Sequence, residues 1–257
     1  MRPILFQLGP VPFRSYGVML MIGFLLGLYR AVRAAKRRGM DAAGVVDVCL
    51  YSLLAGIVGS RLIFILLNWS EFRGNMGDIL SVWQGGLSFH GGILFALGAT
   101  YAYARAKRIP FMTIADLLAP SVAIGYAVTR IGCFLNGCCY GVPTSVVWGV
   151  QFPNVDELAR HPTQLYSAAA SFLIYLALVR VEKAERPRGY VFAAYLALYS
   201  VYRFSIEFLR KGTTADVLVL GLTQAQIASV VICIGAVFAL WRMGRRETVE
   251  NSGTRRS

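Results

Sequence analysis

One short segment of this chain combines side chains that could bind an anion, move a proton or act as a nucleophile. Residues 128–141 read VTRIGCFLNGCCYG, so an apolar run reaches Arg130 and then opens into glycine, asparagine and cysteine. Burying an unpaired charge in hydrocarbon is costly, and an ionisable residue within an apolar run therefore indicates a functional site. A guanidinium presents a planar fork of donors that matches phosphate oxygens, so the segment predicts a site for a phosphate group.

A second apolar run carries a pair of opposite charges near its end. Arg203 and Glu207 are four residues apart, and Arg210 is three residues further on. On a continuous helix all three would share one face. An internal ion pair with Glu207 would neutralise Arg203 and still leave guanidinium donors for a ligand.

Two further polar residues lie in apolar surroundings. Arg61 falls inside a long apolar run, and His90 begins another one, directly before Gly91 and Gly92. Paired glycines let a second backbone or a lipid approach closely at this point. An imidazole titrates near neutral pH, so His90 is a candidate proton acceptor as well as a structural residue.

Three of the five cysteines, Cys133, Cys138 and Cys139, are clustered in the sequence. Three thiols cannot all pair with one another, and the Cys-x4-Cys-Cys spacing matches zinc patterns only weakly. Structural thiols or one disulfide, a metal site, and a catalytic thiol all remain open interpretations.

The composition indicates a polytopic α-helical membrane protein. Of 257 residues, 56% are hydrophobic and 15% are charged, and the mean hydropathy is +0.57. This balance is too apolar for a soluble domain of the same length. The net charge of +13 comes from short basic blocks between apolar runs, which favours a role in membrane topology over a nucleic-acid partner.

The apolar runs predict seven membrane helices in a single domain over residues 1–242, followed by a basic cytoplasmic tail over 243–257. No cleavable signal peptide is expected before the first run. Asp41 is a candidate N-cap, and Thr113 and Asp116 have capping-box spacing. Pro162 is expected just inside a helix start. The predicted spans cover residues 15–29, 42–67, 87–104, 113–130, 163–179, 189–209 and 220–241.

The basic residues also predict the orientation of these spans. The segments after the odd-numbered spans hold 17 Lys and Arg, against 6 in the N-terminus and the other loops. The positive-inside rule therefore places the N-terminus outside and the C-terminus in the cytoplasm. At about 1.5 Å per residue, Arg61, Arg130 and Arg203 lie roughly 21–28 Å from the cytoplasmic helix ends. With His90 they occupy the outer half of the membrane, near the level of phospholipid headgroups.

Four motifs in order resemble one known family. They are FHGG at 89–92, RIGxFxNGxxxG at 130–141, HPTQLY at 161–166 and RFxxEFxR at 203–210, accompanied by Tyr16-Gly17 and Asp116. Together they resemble the phosphatidylglycerol–prolipoprotein diacylglyceryl transferases, and the resemblance runs from about residue 10 to residue 240.

The resemblance implies a multi-pass enzyme of the bacterial inner membrane with its active site toward the periplasm. Its substrates would be phosphatidylglycerol and the lipobox cysteine of a preprolipoprotein signal peptide, both held in the bilayer. Arg130 and Arg203 would stabilise the departing phosphate, and His90 would accept the thiol proton. No metal or soluble cofactor is implied. The substrate-binding residues implied are Tyr16, Arg61, Asn136, Gly141, Glu207 and Arg210.

The chain departs from the family pattern at two cysteines. Cys133 stands where many members have asparagine, and Cys138 stands where many have glutamate. In each case a side chain with strong hydrogen-bonding groups is replaced by a thiol. Any family role of those two side chains is therefore in doubt for this chain.

Two other functions fit the buried arginines. A transporter or flippase for an anionic lipid or solute would use them as its binding site, but it should also have a polar path to the cytoplasmic face. The cytoplasmic halves of the spans carry almost no charge apart from Asp47. An assembly subunit would pair the arginines with acids of a partner, and phenotypically silent substitution of His90 and Arg130 would favour that function.

Overall fold

The computed structural model describes residues 1–9, 11–73, 76–80, 86–184, 186–210, 217–219 and 221–254. Within these residues the chain is mainly helical. A 3-10 turn spans Met76–Leu80. The helices are α1 (Ser15–Arg37), α2 (Ala42–Leu67), α3 (Trp69–Phe72), α4 (Phe89–Ala106), α5 (Phe111–Asn136), α6 (Thr163–Lys183), α7 (Tyr190–Glu207) and α8 (Gln224–Thr254).

Three short antiparallel hairpins accompany the helices in the described part of the chain and were not predicted. The first two lie outside the predicted spans, whereas the second strand of the third falls at the start of the seventh predicted span, 220–241. The paired strands are β1 (Ile4–Leu8) with β2 (Val11–Arg14), β3 (Val150–Gln151) with β4 (Ala159–Arg160), and β5 (Val217–Val219) with β6 (Leu222–Thr223).

Helix lengths and hydropathy confirm a multi-pass membrane protein. Among the described residues, five helices are long and apolar enough to cross a bilayer, namely α1, α2, α5, α6 and the Gln224–Arg245 part of α8. Helices α4 and α7 have 18 residues each and coincide with the third and sixth predicted spans. Large apolar side chains such as Leu67, Leu94 and Val231 are exposed along the helices, as expected of surfaces in contact with lipid.

Several predicted helix ends were wrong by two residues or more. Helix α1 continues to Arg37, and α5 continues six residues beyond Arg130 to Asn136. Helix α7 ends at Glu207, so Arg210 lies beyond it rather than on its face. At the C-terminus α8 extends to Thr254 through most of the predicted tail, whose last residues, 255–257, lie outside the described residues.

The chain forms two compact units. The first comprises Met1–Arg30 and Ala115–Ser257, and the second comprises Ala31–Ile114. In the first unit, small and branched side chains of α5, α6 and α7 form a buried cluster, which consists of Ala119, Ala123, Ile174, Leu178, Val191 and Ala194.

Helix α1 approaches α5 through glycines. A Cβ added at Gly23 would lie 2.6 Å from the carbonyl oxygen of Gly125, and one added at Gly132 would lie 2.7 Å from Cβ of Met19. Membrane helices pack closely where small residues let their backbones meet. This packing fixes the N-terminal end of α1, including Tyr16, against the C-terminal end of α5.

The capping-box prediction for Thr113 and Asp116 was wrong. Helix α5 begins at Phe111, before both residues. The buried Asp116 carboxylate instead accepts hydrogen bonds from the backbone N–H groups of Gly189 (2.6 Å) and Phe192 (2.8 Å) at the start of α7. A carboxylate on one helix therefore satisfies the N-terminal donors of another, which the sequence spacing alone could not indicate.

Replacing Asp116 with alanine is expected to lower the free energy of unfolding by about 1–3 kcal/mol, because buried donors of α7 lose a charged acceptor. Denaturant unfolding in detergent would measure the change. Asp47 is exposed on α2, so Asp47→Ala is the matched control and should change stability little. Equal effects of the two substitutions would contradict the cap.

In the second unit, α2 and α4 pack through the glycines that follow His90. A Cβ added at Gly91 would lie 2.4 Å from the carbonyl oxygen of Gly59. The prediction that a backbone approaches these glycines is thus confirmed, and the backbone is that of α2. The predicted N-cap is also confirmed, since the Asp41 side chain accepts from Ala43 N–H at 3.0 Å.

Candidate active site

Helices α5 and α7 run side by side in the same direction. Near the starts of both helices, the Asp116 carboxylate accepts hydrogen bonds from the backbone N–H groups of Gly189 and Phe192. Ten residues further along α5, or about 15 Å, the ring of Tyr126 meets the ring of Tyr199 on α7 with centroids 5.8 Å apart. The second contact is closer than the first to the C-terminal end of each helix. The two helices are therefore parallel.

This register brings two predicted arginines to one level. Arg130 follows Tyr126 by four residues, and Arg203 follows Tyr199 by four residues. Residues four apart share a helix face and are separated by about 6 Å along the axis. Arg130 and Arg203 therefore lie one turn beyond the same tyrosine contact, on adjoining faces of α5 and α7.

The Arg130 guanidinium is incompletely paired with protein groups. Its Nη2 donates to the hydroxyl oxygen of Tyr126, and its Cζ lies 4.7 Å from the centre of the Tyr126 ring. Its Nε is buried and has no hydrogen-bond partner among the described residues. A buried charged donor without an acceptor is unusual in a folded protein and indicates a place for an anionic ligand.

Arg203 is held by a buried carboxylate, as predicted. Its Nη1 donates to Oε2 of Glu207, whose side chain is 1% exposed. The other oxygen, Oε1, accepts from the hydroxyl of Thr223 at 3.2 Å. Glu207 thus orients Arg203 from within the protein and joins α7 to the start of α8.

The end of α5 folds the chain back so that three thiols meet. Gly137 has φ +74°, and the N–H of Cys138 donates to the carbonyl of Cys133 at 3.1 Å. This six-residue closure is a Schellman motif, which requires the left-handed residue that glycine supplies. The sulfur atoms of Cys133, Cys138 and Cys139 consequently all lie within 4.8 Å of one another.

All five cysteines lie in the described part of the chain, and each is a free thiol. The pKa of Cys139 is lowered, first by hydrogen bonds from the thiols of Cys133 and Cys138 and then by the positive charges of Arg130 and Arg210. Positive charge favours a thiolate at this position. A disulfide was one of the interpretations left open by the sequence, and none of the five cysteines forms one in this structure.

Two residues at the start of α6 hold the same loop. The Gln164 amide nitrogen donates to the carbonyl of Cys138 at 2.6 Å, and the Thr163 hydroxyl donates to the carbonyl of Cys139 at 2.8 Å. Both side chains are buried. Thr163 and Gln164 therefore join the start of α6 to the loop that carries Cys138 and Cys139.

Gly141 lies where three segments meet. An added Cβ would lie 2.5 Å from the carbonyl oxygen of Leu209 and 2.8 Å from both the Cβ of His161 and the Cγ2 of Thr163. Gly141 also pairs with Arg210 in an isolated antiparallel bridge. The absence of a side chain therefore lets the chain after α7 pack against the loop that carries the thiols.

Gly141→Ala is expected to displace this junction, with a loss of about 1–3 kcal/mol of stability from overpacking. Gly98 has nothing within 4 Å of an added Cβ, so Gly98→Ala is the matched control and should be neutral or slightly stabilising. Thermal unfolding of both variants in detergent would measure the difference. A Gly141→Ala protein as stable as the control would contradict the close packing.

The remaining predicted residues of the first unit lie around the same helix end. Tyr16, at the N-terminal end of α1, is held beside Gly132 and interacts electrostatically with Arg130. Asn136 is the last residue of α5 and hydrogen-bonds the Cys138 thiol. The first unit thus brings together Tyr16, Arg130, Asn136, Gly141, Arg203, Glu207 and Arg210 around the ends of α5 and α7.

Arg61 and His90 belong to the second unit. Arg61 is 8% exposed, and its guanidinium donates to three backbone carbonyls, those of Asp78, Ile79 (3.0 Å) and Gly86 (3.0 Å). His90 is exposed in the first turn of α4, where its ring makes an edge contact with Phe89 at 6.0 Å. Arg61 therefore supports the connection between α2 and α4, while the His90 imidazole is accessible.

The sequence reasoning missed the tyrosines that set the register of the arginines. Tyr126 and Tyr199 belong to an aromatic group on α5 and α7 that also contains Tyr195 and Tyr202. The spacing Tyr-x-x-x-Arg places each of these arginines one turn beyond an aromatic residue. The same spacing also occurs at Tyr29–Arg33 and Tyr101–Arg105, so it could not by itself identify Arg130 and Arg203.

Comparisons with known proteins agree with this arrangement. The family model for prolipoprotein diacylglyceryl transferase matches residues 3–242. Proteins named phosphatidylglycerol–prolipoprotein diacylglyceryl transferase are similar along most of their length. That of Geobacter sulfurreducens is 41% identical over 81% of this chain and 82% of its own. That of Coxiella burnetii is 37% identical over 93% and 94%, and that of Pseudoalteromonas atlantica is 33% identical over 96% and 91%. With its motifs, its helices and these relatives in agreement, the chain belongs to the prolipoprotein diacylglyceryl transferase family.

Proposed function

We propose that this chain transfers the sn-1,2-diacylglyceryl group of phosphatidylglycerol to the lipobox cysteine of a preprolipoprotein. The cysteine thiolate attacks the diacylglycerol carbon that bears the phosphate ester. A carbon–sulfur bond forms while the carbon–oxygen bond to phosphate breaks, and glycerol 1-phosphate leaves with the bonding electrons. The thiol proton passes to a base. The relatives carry this activity in their names.

The observation that carries this proposal is the unpaired buried Nε of Arg130 at the level of Arg203. Both guanidiniums retain donors that Tyr126 and Glu207 do not use. Negative charge grows on the phosphate as it leaves, so fixed donors at this point stabilise the transition state more than the ground state. Two guanidiniums from separate helices are suited to that charge.

Other residues take positioning roles in this proposal. Glu207 keeps Arg203 in place, while Tyr16 and Asn136 orient the lipid beside Arg130. Gly141 and Arg210 hold the outer loop against the end of α7. The accessible imidazole of His90 is the candidate base for the thiol. We assign Arg61 to the support of its own loop, since three backbone carbonyls occupy its guanidinium.

The same proposal places the chain in the bacterial inner membrane with seven spans, an outer N-terminus and a cytoplasmic C-terminus. The distribution of 17 basic residues against 6 supports this orientation. Residues 1–242 then form the catalytic domain, and the ends of α5 and α7 face the periplasm. Both substrates reach the site from the bilayer, where each is anchored by apolar segments.

The direct test uses the purified chain with phosphatidylglycerol and a lipobox peptide. We expect glycerol 1-phosphate to appear in equal amount to a thioether-linked diacylglyceryl peptide, measured by mass spectrometry. The matched control is the same peptide with serine at the lipobox cysteine, which should give neither product. Transport of phosphatidylglycerol across vesicles without either product would contradict the transferase and favour a flippase.

A further inference from the structure

The three thiols at the end of α5 form a cluster that the proposed transfer reaction does not use. Cys133 is 5% exposed, while Cys138 and Cys139 are partly exposed. Their sulfur atoms all lie within 4.8 Å of one another. A metal ion about 2.3 Å from each of three sulfurs needs sulfur–sulfur distances of roughly 4 Å. Small side-chain rotations would therefore bring all three thiols into coordinating range.

The backbone holds this cluster in place before any ion binds. The Schellman closure places Cys138 over Cys133. Cys139 has φ +61°, a left-handed conformation that is uncommon and costly for a residue with a side chain. The buried side chains of Gln164 and Thr163 fix the carbonyls of Cys138 and Cys139. Three independent constraints thus direct three thiols toward one another.

The donor set selects a class of ion. Only sulfur atoms belong to the cluster, without histidine or carboxylate among the described residues, which disfavours magnesium and calcium. Zinc prefers four ligands in structural sites, whereas thiolates also suit the soft monovalent ion Cu(I). Three thiolates carry negative charge. The nearby positive charges of Arg130 and Arg210 act on Cys139 and offset part of that negative charge.

We propose that Cys133, Cys138 and Cys139 form a three-sulfur binding site for Cu(I). Binding displaces the thiol protons and leaves the oxidation state of the ion unchanged. The site stands independently of the transferase activity, because it rests on the thiol geometry alone. An occupied site would join the end of α5 to the loop that follows it.

Anaerobic titration of the reduced protein with Cu(I) against a chromophoric chelator tests this site. We expect one tightly bound equivalent in the wild type. Cys133→Ser/Cys138→Ser/Cys139→Ser is expected to bind at least about a hundredfold more weakly, because every ligand is lost. The matched control is Cys49→Ser/Cys233→Ser, which alters the two cysteines outside the cluster and should bind as the wild type does. Equal binding by the two variants, or uptake of Zn(II) without Cu(I), would overturn the proposal.

A second measurement needs no variant and so does not depend on whether the triple variant folds. Thiol alkylation of the wild type, followed by peptide mass spectrometry, should slow at Cys138 and Cys139 when one equivalent of Cu(I) is added. Cys233 on α8 is the internal control and should react at the same rate with and without the ion. Unchanged alkylation of Cys138 and Cys139 would overturn the proposal.

Discussion

Arg203→Ala is expected to slow the release of glycerol 1-phosphate by about a thousandfold, while the protein still inserts into the membrane. Removing one fixed donor to a developing anion costs roughly 10²–10³ in rate, and loss of a full charge falls at the upper end. The loss should appear mainly in kcat, since the charge develops in the transition state. Steady-state rates in reconstituted vesicles would measure it. A wild-type rate would exclude a role of Arg203 at the leaving group.

Two further variants separate chemistry from folding in this experiment. Arg203→Ala leaves the buried Glu207 carboxylate without its cation, which is destabilising by itself. Arg203→Ala/Glu207→Gln removes that unpaired charge and should recover stability but not activity. Arg180 is on α6, where its Nη1 donates to the carbonyl of Leu176 at 3.5 Å. Arg180→Ala is therefore the matched control and should retain the wild-type rate.

Arg130→Ala is expected to cause a loss of about 10²–10³ in the same rate. Arg130→Lys should recover only part of it, because lysine keeps the charge but has no donor at the position of the buried Nε. If Arg130 and Arg203 hold the same phosphate, removal of either one lets the phosphate move away from the other, which then contributes less. The fold-loss in rate of the double variant Arg130→Ala/Arg203→Ala should therefore be smaller than the product of the fold-losses of the two single variants.

Rates of the two single variants and the double variant, measured in vesicles, form a double-mutant cycle that tests this expectation. The folding control is Tyr126→Phe, which removes the hydroxyl acceptor of Arg130 but keeps the ring that meets Tyr199. It should remain folded and lose less activity than Arg130→Ala. Strictly multiplicative losses in the double variant would mean that the two arginines act on separate groups.

The membrane helices could be predicted because each depends on its own apolar run. The bounds of α2, Ala42–Leu67, matched the prediction. Helix ends that depend on distant partners could not be predicted. Asp116 caps a helix that begins more than 70 residues later, and no local pattern encodes that contact. The hairpin of β3 and β4 is two residues long in each strand, too short for an alternating pattern to be recognised.

Some residues of the candidate site could likewise be identified from the sequence, whereas their arrangement could not. Arg130, Arg203 and Glu207 could be identified because charge in an apolar run is costly and therefore informative. The arrangement around them depends on tertiary contacts. Gln164 reaches the loop 26 residues before it in the chain, and the meeting of three thiols depends on the left-handed conformations of Gly137 and Cys139. Sequence spacing alone could not distinguish this cluster from unrelated structural cysteines.

In the proposed reaction, Arg130 and Arg203 together hold one phospholipid phosphate at the ends of α5 and α7. The most direct measurement is an electron cryomicroscopy structure of the chain in nanodiscs that contain phosphatidylglycerol. We expect a lipid phosphate within hydrogen-bonding distance of Arg130 Nε and of the Arg203 guanidinium at the same time. A bound phosphatidylglycerol whose phosphate contacts neither arginine, with both guanidiniums paired only to protein groups, would contradict it.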